Sequence, residues 1–510
     1  MTIEEQDRHE TEAATAPPAV LSRAYLVEQL KSAVLNPVRS MRLAYLPLLM
    51  VYFAYGATGL VAVAQAFWVK KSLTLTPVEL AAIAVWLNIP WTIKMVFGEL
   101  VDSVAVFGSQ RRGYVLIGGG LVALGLLLLA GAASQSITFM TPNQLYVTAA
   151  LVMVVGLVLQ DVVADAMSTE VVARVTSDGS PRDKADIDRD LGMVQVLGRL
   201  ALSLGAFSTA GLAGWLAGTL PYATVFLIGL VIPVISISGA LMVRLETPEQ
   251  RPTDWQILGS GIAFGVFVVA MGLGDVPLGQ EIVFLVSMGV VIWMLRRVVS
   301  EVDRATQTKI VLAAVLIFLY RSSPGVGQGY SWFTIDKLGF DEAFQGVLAQ
   351  IGAGLALAAA WLFSDAITRQ PVTRVLLWLV IAGAIVGLPG LGLTLGLQDW
   401  TQAMFGFGAR SIAIVDAATA SPLAQLGMIP MLTLIAIYAP AGHRAIWFAL
   451  MASLMNLALS AGELQTKYLN LIFAVDRGHY EHLPALYTTA WLIGLVVPLV
   501  AILGIGRRVR

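Results

Sequence analysis

Between Gly113 and Gln160 the chain carries no Asp, Glu, Lys or Arg, and between Ala201 and Val243 it again carries none. A backbone buried in lipid must satisfy its own N–H and C=O groups, so a span needs about 20 apolar residues wound into a helix. Each run holds enough residues for two such passes. The rest of the 510 residues follows suit, 57% hydrophobic and 13% charged, where soluble domains run near a quarter charged. The expected class is an all-α polytopic membrane protein.

Hydropathy predicts spans at 43–68, 77–101, 114–134, 143–168, 191–216 and 221–243, a pair at 256–273 and 281–296, then 309–333, 342–364, 372–395, 411–438, 444–473 and 484–506. The pattern is six, two and six, or 14 transmembrane helices. The apolar core of 281–296 is short enough to be interfacial or re-entrant instead. Loop charge tests the count. With the N-terminus in the cytosol, 22 Lys and Arg from Arg23 onward fall in cytosolic segments, against five outside: Lys70, Lys71, Lys337, Arg410 and Arg477. The expected organisation is a cytosolic tail and interfacial helix at 1–40, a six-helix bundle at 41–245, a two-helix insert with linkers at 246–308, and a second six-helix bundle at 309–510. Two matching halves point to an internal repeat, frequent among secondary transporters. "FGELVDS" and "LFSDA" close the second helix of each half as a weak echo.

Several classes drop out. No cysteine means no disulfide framework and no thiolate metal site. His9, His443, His479 and His482 are too scattered for a His-based metal site. "MTIEEQDRHETEAATAPPAV" lacks the basic start and apolar core of a signal peptide. No Ser/His dyad or phosphate-binding loop supports an enzyme, and "GGG" at Gly118 to Gly120 lies inside a span. No cofactor, metal or nucleic acid is expected.

What remains to explain is charge within the spans. Lys94, Arg199, Arg321 and Lys467 are basic there; Asp161, Asp165, Asp416 and Glu463 are acidic. An ionised side chain at mid-bilayer costs at least about 2.5–3.5 kcal/mol, so each needs a partner or a watery cavity. Structural ion pairing and function are about equally expected for any one of them. Asp161 and Asp165 are four apart, one turn on one helical face, where joint ionisation is disfavoured and proton coupling is natural. Lys94 and Asp161 lie at similar depth, so contacts from Asp161 to Lys94 or to Arg199 are expected. Arg321, followed by Pro324, Gly325, Gly327 and Gly329, sits beside a predicted helix break. It is the candidate anchor for a substrate carboxylate, with Tyr320, Tyr330 and Trp332 as stacking surfaces; for Trp332 an interfacial belt is the better reading. Glu463 and Lys467, also four apart, are expected to pair structurally with each other.

The stretches "IPWTIKMVFGELVDSVAVFGSQRRGYVLIGG", "LQDVVADAMSTEVVAR" and "APAGHRAIWFALMASLMNLALS" together resemble the folate–biopterin transporter family of the major facilitator superfamily. The resemblance covers most of 43–243 and 309–506. It implies the major facilitator fold, alternating access, and uptake of folates or pterins with protons. By position it places Lys94, Asp161 and Asp165 among the intramembrane charges, and Gly98, Asp102, Arg111 and Arg112 in a cytosolic gate loop. Two features depart from the family: the extra pair at 256–296, and Ala441, Gly442, His443 and Arg444 where relatives read Pro-Gly-x-Glu.

The expected protein is a proton-coupled transporter of folates, pterins or a related organic anion. It is expected to be a monomer in a bacterial-type inner membrane, with both termini cytosolic and with substrate, protons and lipid as its partners. Lys94, Arg321, Tyr320 and Tyr330 would bind substrate, while Asp161, Asp165 and Arg199 would couple protons. A carrier of another organic anion or nucleoside-like metabolite, or a non-transporting membrane assembly scaffold, are the alternatives.

Overall fold

A computed structural model describes residues 41–176, 179–242, 253–274, 276–300, 303–368, 370–438, 444–506 and 508. The tail and interfacial helix expected at 1–40, and the Ala441–His443 departure, lie outside them. The described chain is helical, with three isolated β-bridges and no strand. In order the helices are α1 (Leu46–Ala57), α2 (Ala62–Ser72), α3 (Pro77–Thr92), α4 (Lys94–Ser103), α5 (Arg112–Ala133), α6 (Pro142–Glu170), α7 (Lys184–Thr219), α8 (Tyr222–Ile228) and α9 (Val231–Met242). The insert supplies α10 (Trp255–Leu273) and α11 (Gly279–Val299). The second half holds α12 (Arg304–Arg321), α13 (Gln328–Asp336), α14 (Glu342–Thr368), α15 (Val372–Val386), α16 (Leu388–Thr394), α17 (Leu397–Phe405), α18 (Ala409–Ile437), α19 (Arg444–Phe473) and α20 (Leu483–Ile505).

Among the described residues, thirteen helical segments are long and apolar enough to cross a membrane, including both insert helices. The fourteenth expected span, 309–333, is split into α12 and α13, and neither part alone meets that length and hydropathy. Local chemistry explains the helix boundaries. Thr76 and Thr141 cap α3 and α6 with reciprocal bonds to Glu79 and Gln144, each followed by a proline at the first helical position. Asp254 and Asp303 cap α10 and α12. Pro90, lacking an N–H, loosens the end of α3. The chain leaves helical geometry at Ile93 and restarts at Lys94, so the first intramembrane cation sits on a joint.

The break between α12 and α13 is satisfied from one helix. Gln465 donates to Ser322 O at 2.6 Å, Gly325 N donates to Thr466 Oγ1 at 2.9 Å, and Asn470 donates to Val326 O at 3.2 Å. Non-helical backbone at membrane depth survives only with such partners. Gly327, at φ +80°, takes a conformation that L side chains resist.

Packing gives each half a core. Tyr45, Leu48, Tyr114, Val158, Val163 and Met167 are buried together in the first half. Ile310, Leu316, Leu376, Trp447, Leu450 and Met451 are buried together in the second, joined by Val291, Leu295 and Val299 of α11. The second insert helix is therefore part of the second half's core. The first insert helix leans on the first half: Glu99 Oε1 accepts from Asp254 N at 2.7 Å, and a Cβ on Gly261 would lie 2.3 Å from Val96.

A shared apolar cluster buries Trp68, Leu75 and Leu145 of the first half with Trp332, Val475 and Tyr480 of the second, and two helix crossings also join the halves. At one, α7 and α14 touch backbone to backbone, and a Cβ on Gly214 would come within 2.5 Å of Gly346 Cα. At the other, α3 runs against α19, and Asn456 donates to Trp91 O at 3.1 Å.

Candidate functional site

Lys94 is the first residue of α4, and the joint at Ile93 turns it toward α6. Asp161 and Asp165 sit one turn apart there. Lys94 Nζ lies 2.6 Å from Asp161 Oδ2 and 2.6 Å from Asp165 Oδ2. Tyr52 of α1 donates to Asp165 Oδ1 at 2.8 Å. The side chain of Asp161 is 14% exposed and that of Asp165 51%, so the cluster is largely covered at one end and open at the other. One cation holding two carboxylates, one of them exposed, can take a proton and repartition its bonds without stranding a charge. The Asp161–Lys94 contact is the one expected from depth. The Asp161–Arg199 contact is not formed: Arg199 is exposed and, among the described residues, has no ion pair. Tyr52 escaped the sequence reading. Its signal was a phenol in an apolar helix, which seeks a polar partner when buried. Nearby, Tyr55 and Trp91 stack with centroids 5.9 Å apart.

Beyond the end of α4, Arg111 is 3% exposed and gathers Asp102 and Glu170. Its guanidinium bonds Asp102 Oδ1 at 2.8 Å, Glu170 Oε1 at 2.5 Å and Val101 O at 3.0 Å. Asp102 and Arg111 thus meet, and Glu170 is a partner that sequence spacing did not reveal. Arg112 points into the open, contributing only its backbone N–H to Ser109 Oγ at 3.1 Å. A Cβ on Gly98 would meet nothing within 4 Å.

In the second half Arg321 is half-buried between α18 and α19. Nε donates to Met455 O at 3.2 Å, and Nη1 lies 2.9 Å from Met428 Sδ. Among the described residues no carboxylate pairs with it. Tyr320 lines a cavity of about 350 Å³ with Pro324, Val326, Tyr487 and Trp491. The Tyr330 ring meets Tyr487 edge-on at 5.4 Å, so both tyrosines converge on Tyr487. Trp332 is corrected: at 1% exposure it is neither belt nor ligand surface, and the Arg477 guanidinium lies 4.3 Å from its ring centroid.

The Glu463–Lys467 pair is also corrected. Lys467 turns to the insert, 2.7 Å from Glu281 Oε1 and 2.7 Å from Gln280 Oε1, with Tyr468 donating to the same Glu281 oxygen at 2.8 Å. Among the described residues Glu463 has no hydrogen-bond or ion-pair partner. An i,i+4 preference worth a few tenths of a kcal/mol yields to a tertiary partner.

Polar links between the halves concentrate at the face where α2 ends and α3 begins. Lys71 Nζ meets Glu342 Oε1 at 2.7 Å, and Tyr222 donates to the same oxygen at 2.7 Å. Lys70 pairs with Asp336, which also accepts from Tyr480 at 2.5 Å. Arg477 caps the end of α2 through the carbonyls of Val69 (3.1 Å) and Lys70, and reaches Leu75 O at 3.0 Å. Burial alone would push the Asp336 carboxyl up. The hydrogen bonds from Lys70 and Tyr480 and the Lys70 charge outweigh it and hold the group below the usual carboxylate range.

Comparison with known proteins accords with this geometry. The model of the BT1 family matches residues 55–509. The chain is 24% identical over 434 residues to the folate-biopterin transporter of Synechocystis sp., covering 84% of this chain and 75% of that one. It is 22% identical over 464 residues to the probable folate-biopterin transporter 4 of Arabidopsis thaliana, covering 85% and 89%. Among solved structures, a POT family transporter in complex with 5-aminolevulinic acid superimposes with TM-score 0.62 at 13% identity, covering 92% of this chain and 96% of that one. That likeness identifies the architecture as the major facilitator fold. The chain belongs to the BT1 family: it is a membrane transporter, not an enzyme.

Proposed function

We propose that the chain is a secondary active transporter of folates, pterins or a related organic anion, working by alternating access with protons as the coupling ion. The observation that supports this most is the polar latch between the halves at the Lys70/Lys71 face, present together with an open Lys94 cluster. Lys70 and Lys71 of the first half hold Asp336 and Glu342 of the second, while Asp165 at the Lys94 cluster is half exposed. Loop charge puts the latched face outside and the Arg111 face in the cytosol. The arrangement then corresponds to a carrier closed to the outside with its coupling cluster open. The names of the Synechocystis and Arabidopsis relatives support folates or pterins as the substrate class.

In the proposed cycle a substrate carboxylate meets Arg321, whose guanidinium holds only a carbonyl and a thioether here. Its ring system stacks beside the tyrosines. Protonation of the Asp161/Asp165 pair loosens Lys94, and the joint at Ile93 repacks as the halves rock. We place the protein as a monomer in a bacterial-type inner membrane with both termini cytosolic. The test is uptake of labelled folate into vesicles with and without a protonophore. The expected result is accumulation that collapses with the protonophore. No uptake removes the folate reading, and uptake indifferent to the protonophore removes proton coupling.

A further inference from the structure

Glu463 is left over by everything above. It is a carboxylate well inside α19, half-buried, and among the described residues it has no partner. Its surroundings can be read from the helix. Asn456, Glu463 and Asn470 are spaced by seven residues, two turns with about 20° of drift, so they share one stripe. Asn456 donates to Trp91 O of the first half at 3.1 Å, and Asn470 donates to Val326 O in the helix break at 3.2 Å. Glu463 therefore stands on the stripe of α19 that meets α3 of one half and the 322–327 break of the other, one turn before Lys467. Asn470 adds a second sign on the same stripe: it is fully buried and its Oδ1 has no donor.

Arg321 fixes the other end. Its Nε reaches Met455 O on the same helix, and Met455 precedes Glu463 by eight residues, about 12 Å along the axis at 1.5 Å per residue. A cation that binds carboxylates and a carboxylate that seeks donors thus stand about 12 Å apart along one rod. A carboxylate's two oxygens match a planar edge carrying an exocyclic amine beside a ring N–H, the mirror of a guanidinium–carboxylate fork.

We propose that Glu463 accepts the donor edge of the substrate's ring, an amine beside a ring N–H as on a 2-amino-4-oxopyrimidine, while Arg321 takes its distal carboxylate. This rests on the folate or pterin reading and deepens it. An extended ligand, a ring joined through a linker to a carboxylate, engages both residues; a bare pterin engages only Glu463.

The experiment measures binding to the purified full chain in lipid nanodiscs. The probes are folic acid, its 2-desamino analogue and p-aminobenzoylglutamate, which has the carboxylates and no pterin. Glu463→Gln is expected to weaken folic acid about 10- to 100-fold, the range for a hydrogen bond to a charged group. It should leave p-aminobenzoylglutamate within about twofold. The 2-desamino analogue should bind the parent as weakly as folic acid binds the variant, and Glu463→Asp should recover part of the loss. An unchanged folic acid affinity in Glu463→Gln overturns the assignment; if proton-driven accumulation is then lost, Glu463 is a proton carrier instead. Equal weakening of all three probes also overturns it, as a structural effect. If the parent binds no probe, the folate reading itself has failed, and the inference with it.

Discussion

Nζ of Lys71 lies 2.7 Å from Oε1 of Glu342, one residue from each half of the molecule. The lysine side chain is 52% exposed and the glutamate 14%. Such a pair contributes only about 0.2–1 kcal/mol, which suits a contact that would break in each turn of the proposed cycle. Glu342→Gln keeps an acceptor for Tyr222 and removes the charge. The expected outcome is a latched face that opens about two- to fivefold more often. Leu75, buried behind the latch at 7% exposure, provides the reporter: the chain has no cysteine, so Leu75→Cys is a unique thiol. Its maleimide reaction rate should rise in the Glu342→Gln background; an unchanged rate means that this pair does not limit opening.

The same reporter tests the latch against pH. Asp336 is held below the usual carboxylate range by Lys70 and Tyr480 in spite of its burial. A depressed carboxyl contributes stability above its unfolded value, about 3.9, and loses it as pH falls through the lower folded value. Between pH 8 and 5 the carboxylate stays ionised. The Leu75→Cys rate, corrected for thiolate fraction, should therefore be flat across that window. A rise near pH 6 would mean that the latch itself is proton-sensitive. Transport that varies with pH between 5 and 8 is then expected to draw its dependence from another group.

That group is expected in the Lys94 cluster. Asp161→Asn should abolish proton-driven accumulation in vesicles while exchange of substrate is partly retained; accumulation that survives would exclude the coupling role. Lys94→Met makes a different prediction. It leaves two carboxylates one turn apart without their cation. Removing one partner of a fully buried pair costs about 3–5 kcal/mol. With Asp165 half exposed the expected loss is lower, about 2–3 kcal/mol, read as reduced thermal stability in detergent. Adding Asp161→Asn to Lys94→Met should restore part of it.

Lys467 tests the insert. It ties α19 to α11 through Glu281, both side chains under 20% exposed. The second oxygen of Glu281 is buried without a donor. Lys467→Met should therefore destabilise by about 2–4 kcal/mol, and Lys467→Met with Glu281→Gln by less. A double variant as unstable as the single would show that the pair carries no coupling.

The membrane class and thirteen of the expected spans were legible because hydropathy reports on length and solvent, properties local to each helix. The Lys94–Asp161 contact was legible because depth can be counted along helices of known rise. The break after Arg321 was legible from Pro324 and its glycines. Partner choice was not. Lys467 has Glu463 on its own helix, yet the insert delivers Glu281 from 186 residues away, and no spacing rule sees a partner supplied by tertiary packing. Glu170 for Arg111 and Tyr52 for Asp165 were missed for the same reason. Trp332 was misread because an aromatic near a span's end is usually interfacial; only the three-dimensional placement of Arg477 shows it covered.

Glycine offers a last contrast, between a contact and its absence. A Cβ on Gly214 would lie 2.5 Å from both Glu342 O and Gly346 Cα. These are backbone atoms with no flexible end to give way, so Gly214→Val must push α7 and α14 apart. Overpacking of this kind costs about 1–3 kcal/mol. Because the crossing lies between the halves, transport should fall further than thermal stability does. Gly98, in the gate motif, meets nothing within 4 Å. Gly98→Ala should be neutral or stabilising by up to about 1 kcal/mol, the helix-propensity difference. If it leaves stability intact but stops uptake, then α4 must be approached closely at Gly98 in another state of the cycle. If uptake also survives, Gly98 has no gating role, and the motif acts through Asp102 and Arg111.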